Sequence, residues 1–143
     1  MPDMNKIPAS RLVLQGFLAA ITFSMVACDS SSSIYATAAA ARADGAVVRG
    51  WLPAELPDSA VSISETHDLD TNVGSGSFSF AAAETESFRA KLRPASPADL
   101  QKFRNAEELQ RGGYSFYVVP GFILAVNWQS RHVRYVIAHG RES

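Results

Sequence analysis

The chain is poor in the residues that announce chemistry. It has one cysteine, Cys28, in 143 residues, so no intramolecular disulfide can form. A small domain without disulfides must rely on its hydrophobic core. Net charge is nearly absent, with 13 Lys and Arg against 14 Asp and Glu. That balance excludes the strongly basic domain that nucleic acid usually requires, and no nucleic-acid partner is expected. No apolar run reaches the roughly 20 residues that span a bilayer. The longest, residues 12–27, is diluted by Gln15 and Thr22. No G-x-S-x-G, H-E-x-x-H, P-loop or dinucleotide fingerprint occurs, so neither a cofactor nor a catalytic signature is read.

What is present begins with an export signal. Lys6 and Arg11 precede the apolar stretch, and small Ala27 precedes Cys28. A charged start, an apolar run too short to span, and a small residue before the cut describe a secretory leader. Met25-Val26-Ala27-Cys28 resembles the lipobox of bacterial lipoproteins, although that class usually has leucine where Met25 stands. The resemblance implies cleavage before Cys28, a diacylglycerol on its thiol and acylation of the new amine. It also implies a membrane address facing the periplasm or exterior. Each methylene buried in the bilayer contributes about 0.8 kcal/mol, so two or three chains anchor almost irreversibly.

The expected layout is a signal peptide over 1–27, a lipidated cysteine with a flexible Ser/Ala-rich tether over 28–44, and a small α+β domain over 45–143. Ser30-Ser31-Ser32-Ser33 and the alanine run behind it read as a linker. A coil of about 16 residues extends roughly 20 Å. Within the domain, residues 61–69 and 75–81 read as a strand hairpin around Asn72 and Gly74. Residues 84–92 read as a helix with Phe88 and Leu92 on one face. Ser96-Pro97-Ala98-Asp99 opens a second helix, with serine as cap, proline in the first turn and an acid at the positive end. Gly112-Gly113 closes it. Residues 114–119, 122–128 and 132–139 alternate and read as a meander. The order β-β-α-α-β-β-β predicts a two-layer α+β domain, an antiparallel sheet packed against one or two helices.

The densest polar cluster is Glu65-Thr66-His67-Asp68-Leu69-Asp70-Thr71-Asn72. Asp68, Asp70 and Asn72 have the spacing that opens an EF-hand loop. Val73 stands where its glycine belongs and Ser79 where its glutamate belongs, so an EF-hand is excluded and only a weak metal site is left. On a strand Glu65 and His67 share a face. Ser77, His67 and Asp70 permit a triad to be drawn, but on residue types alone. His67, Trp51 and Trp128 are the candidate interaction residues, because exposed aromatic side chains dominate interfaces.

Charge divides along the chain. Residues 29–88 carry two bases and nine acids, and residues 89–143 nine bases and four acids. The simplest reading is mild attraction between neighbouring segments. A second is that Arg89, Lys91, Arg93, Lys102, Arg104 and Arg111 face an anionic membrane. Residues 56–80 also resemble a segment of uncharacterised bacterial exported proteins and lipoproteins. The likeness rests on Leu56-Pro57-Asp58-Ser59-Ala60, on His67-Asp68-Leu69-Asp70-Thr71-Asn72 and on Phe78-Ser79-Phe80. It implies bacterial origin and export, and no activity.

Together these readings predict a lipid-anchored envelope protein of unknown activity with a non-catalytic binding domain. Its expected partners are the membrane, through Cys28, and an envelope protein. Two alternatives stand beside it. One is a hydrolase or metal-dependent enzyme using Glu65, His67, Asp68 and Asp70. The other is an inhibitor or immunity-type protein, suggested by fold analogy alone.

Overall fold

The computed structural model describes residues 30–138. The leader, the lipobox and Cys28 lie outside the described residues, as does His139. Among the described residues, seven strands form one fully antiparallel sheet: β1 (Ser30–Thr37), β2 (Val61–Asp68), β3 (Gly74–Ser79), β4 (Arg93–Pro94), β5 (Ser115–Val119), β6 (Phe122–Asn127) and β7 (His132–Ile137). Their spatial order is β1-β2-β3-β7-β6-β5-β4. Among the described residues, four short α-helices, α1 (Ala38–Ala43), α2 (Thr85–Arg89), α3 (Pro97–Leu100) and α4 (Ala106–Arg111), and one 3-10 turn, Ala82–Glu84, accompany them.

The domain begins earlier than residue 45. Ser30 to Thr37 is an edge strand, paired with β2 from Ser30↔Asp68 to Thr37↔Val61. The alanine run is α1, capped by the Thr37 hydroxyl, which accepts the Ala40 amide. The tether reading is therefore corrected for these residues. Serine has little strand preference, but Tyr35 fixes the segment. Its ring is buried in the core, and its hydroxyl donates to Asp44 Oδ2 at 2.6 Å. Ala38 and Ala41 are also buried, so α1 stands on packing rather than on propensity.

The two-layer arrangement is also corrected. Along β6, Phe122, Leu124 and Val126 enter one core, while Ile123 and Ala125 enter another on the opposite face. The first core is closed by α1, by the Ala46, Leu52, Leu56 and Ala60 side chains of the following segment, and by Phe88 of α2. The second is closed by Leu100, Phe103, Ala106 and Leu109, from α3, α4 and the turn between them. The molecule is mostly sheet, with cover on both faces of its β5-β6-β7 half.

The expected hairpin and meander form close to the expected bounds. The second helix breaks in two. A capping box joins Ser96 and Asp99 at its start, but residues 101–105 leave the helical path and drop Phe103 against Phe116, with ring centroids 5.2 Å apart. The break carries Lys102 and Arg104 out over the sheet.

Candidate functional site

The sheet sorts the predicted polar cluster onto two faces. Ile63, Glu65 and His67 face the first core; Ser64 and Thr66 face away. Glu65 is 2% exposed and His67 4%. The imidazole Nδ1–H donates to Glu65 Oε2 at 2.8 Å. Trp51 stacks on the imidazole, with centroids 3.7 Å apart and planes inclined by 17°. Arg49 lies over the indole at 4.1 Å and pairs with Asp44 at 3.0 Å. The Tyr135 hydroxyl donates to the Trp51 carbonyl at 3.0 Å. Its ring crosses β3 at Gly76, where a Cβ would collide with the Tyr135 hydroxyl and the Ser64 carbonyl oxygen. Glycine is needed there for close approach. Burial first, then the neighbouring Glu65 charge, pushes the Tyr135 phenol far above its ordinary range.

This arrangement locks the 44–52 segment to the sheet. It gives a substrate no access, because acid, imidazole and indole cover one another. Glu65 Oε1 is buried without a hydrogen-bond partner, a destabilising feature of about 1–3 kcal/mol for such a group. A buried pair held by a stacked ring and a close glycine has the features of a packing device.

The other predicted sites separate. Asp68 Oδ1 accepts the amides of Asp70 (2.9 Å) and Thr71 (3.0 Å). These bonds, the Thr71 amide first, hold its carboxyl below the usual range. Asn72 takes a left-handed conformation, φ 56°. The three residues thus build a hairpin turn of the kind such side chains favour, and no metal-binding group of three or more acid, His or Cys side chains occurs among the described residues. Ser77 pairs with Ser64 on the face opposite His67, so the triad does not assemble. Trp128 donates its indole N–H to Tyr117 Oη at 2.9 Å and packs edge-on to Phe80 and Phe88, with Arg89 over its ring at 4.4 Å. Both tryptophans are half-buried closures of the first core. The six bases also divide. Arg89 ends α2 on the first-core face, over Trp128, whereas Lys102 and Arg104 stand over the opposite one.

That opposite face holds a groove of about 740 Å³, within the usual range for ligand sites. Ser64 and Thr66 of β2, Ser75 and Ser77 of β3 and Arg134 of β7, which pairs with Ser77, form its sheet floor, and Lys102 to Asn105 line it from the covering segment. Ser64 and Ser77 hydroxyls are bonded at 3.0 Å, and Thr66 bonds Ser32 at 2.9 Å. Each bonded hydroxyl pair still has a donor hydrogen and lone pairs to offer. Among the described residues no carboxylate lines the groove. Arg104 and Arg134 form no ion pair among the described residues.

Residues 29–79 match the YbbD head domain.

The YbbD head match runs from β1 through β3. It includes the Glu65–His67 pair and the four floor hydroxyls, and it ends before the three cations. No curated protein and no solved structure matches the chain. Among the described residues no helix is long and apolar enough to cross a membrane.

Sequence reading missed the groove. One signal was present: Ser64-x-Thr66 and Ser75-x-Ser77 alternate with period two, which sets hydroxyls on one face of a hairpin. Nothing local announced that residues 102–104 would fold over them.

Proposed function

We propose that the chain is a lipid-anchored bacterial envelope protein, acylated on Cys28, whose head binds an acidic, hydroxyl-rich ligand, of the chemistry of a uronic-acid glycan, without transforming it. The observation that carries the binding reading is the composition of the groove: bonded hydroxyls below, three cations around them, and no acid. Within each bonded pair, Ser64 with Ser77 and Thr66 with Ser32, the accepted bond polarises the remaining hydroxyl hydrogen as a donor for a polyol. Arginine presents a fork suited to carboxylate. The anchor rests on the leader pattern and on the sole thiol standing at its end.

The enzyme alternative loses its motive, because its histidine and glutamate are buried against Trp51. For the anchor, intact mass of membrane-extracted protein is compared with a Cys28→Ser variant. A diacyl or triacyl increment on the native chain alone supports it; a mature mass without acyl groups contradicts it. For the groove, calorimetric titration with a short oligogalacturonate should show binding that weakens with added salt and falls at least several-fold in Arg134→Ala. A neutral dextran of equal length should not bind. Equal binding of both, or of neither, contradicts the assignment.

A further inference from the structure

We infer that the head sits directly on the bilayer, with the tip of its first hairpin in the lipid interface beside the acylated cysteine. The inference rests on the anchor proposed above and adds an orientation that the lipid alone does not supply.

Chain geometry carries it. Two residue steps separate Cys28 from Ser30. At 3.3–3.6 Å per residue, Ser30 stands no more than about 7 Å from the acyl-bearing residue. Ser30 is the first residue of β1, and it is paired with Asp68, the last residue of β2. Because the strands are antiparallel, the loop 69–73 continues past Ser30 in the direction from which the chain arrives. The hairpin tip and the lipid attachment therefore lie at the same end of the sheet.

That tip is apolar where it meets solvent. Leu69 is 64% exposed and Val73 60%, two of the five large exposed hydrophobic side chains among the described residues. Loop side chains of this kind gain by entering the headgroup–acyl boundary. The acids beside them are partly engaged, since the Asp68 carboxylate already accepts two backbone amides. Positive charge is available at the same end. Arg93 pairs with Val118, one residue before the end of β5, and the turn after β5 points the same way as the hairpin loop. Lys102 lines the same recess as Arg93 around that turn, together with Asp99, so the bases there exceed the acid by one. Juxtamembrane bases are attracted to anionic lipid, and here they offset Asp70 at the other side of the sheet.

The occupant of the tip is thus a lipid surface rather than a protein. A coil tether would have lifted the head about 20 Å and left the tip in water. With the tether folded as an edge strand, the head has no such freedom.

The test uses the acylated full-length chain. Its only native thiol carries lipid, so one introduced cysteine can be labelled alone. A polarity-sensitive fluorophore is placed by Leu69→Cys, by Val73→Cys, or, as a control, by Gln129→Cys in the turn at the opposite end of the sheet. Each protein is reconstituted in phosphatidylcholine–phosphatidylglycerol vesicles. The expected result is a blue-shifted emission at 69 and 73, quenched several-fold more strongly by lipid-borne nitroxide than at 129. Water-like emission at all three positions, with acyl mass and vesicle association intact, would overturn the seating while leaving the anchor in place. Absence of acyl mass would overturn both. Equal quenching at 69 and 129 would show a head without fixed orientation and would also contradict the inference.

Discussion

Glu65 and His67 show how little residue type says about role. A strand places them on one face, as their spacing predicts, yet the covering segment decides what they do. With Trp51 stacked on the imidazole and the carboxylate beneath it, they hold the chain closed. Glu65→Leu should destabilise the fold by about 1–3 kcal/mol, since it strands the His67 N–H in the core. Glu65→Gln, which keeps an acceptor, should cost less. Denaturant midpoints measure both, and oligogalacturonate affinity should be unchanged in Glu65→Gln. Tyr135 makes a second prediction. Its phenol is raised in the folded state, so its contribution is full below the ordinary tyrosine range and is lost as pH rises beyond it. Alkaline unfolding should begin above about pH 10 and should be blunted in Tyr135→Phe. That variant should also lose about 1 kcal/mol at neutral pH with the bond to Trp51.

At the scale of elements, β1 decides between a tether and a strand. If residues 30–37 were only a tether, Tyr35→Ala would leave stability unchanged. As a core side chain of an edge strand, it should cost about 3 kcal/mol on thermal or denaturant unfolding. The capping box of α3 gives a second test. Hydrogen bonds from the Ser96 backbone and side chain hold Asp99 below the usual carboxylate range, so this contribution is present at neutral pH and disappears as pH falls through the folded value. Ser96→Ala should remove about 1 kcal/mol at pH 7, with a smaller difference in strong acid.

The contrast between these elements explains what was legible. Phe122, Leu124 and Val126 alternate, and the strand they predict is there. Ser96-Pro97 and Gly112 mark helix ends, and the structure keeps them. Ser30 to Ser33 have no alternation to read, because the strand is imposed by the open edge of β2 and by one tyrosine. The helix break at residues 101–105 has no proline or glycine to announce it. Its cause is the docking of Phe103 on Phe116, a contact between distant segments. The groove was illegible for the same reason, since its hydroxyls and its cations come from separate stretches of chain.

Across the whole molecule, one face of the sheet is held by a bonded, aromatic core, and the other is covered by the second core over β5 to β7 and left as an open hydroxyl-and-cation groove over β2 and β3. The YbbD head match covers the strands that supply both the locked pair and the groove floor. In the proposed function the open groove, not the Glu65–His67 pair, meets the ligand. Amide chemical-shift mapping during titration with oligogalacturonate distinguishes the two. Saturable shifts are expected at Ser64, Thr66, Ser75, Ser77, Arg104 and Arg134, with Trp51 and His67 unmoved. Shifts centred on Trp51 and His67, or none at any concentration, would contradict the proposed function.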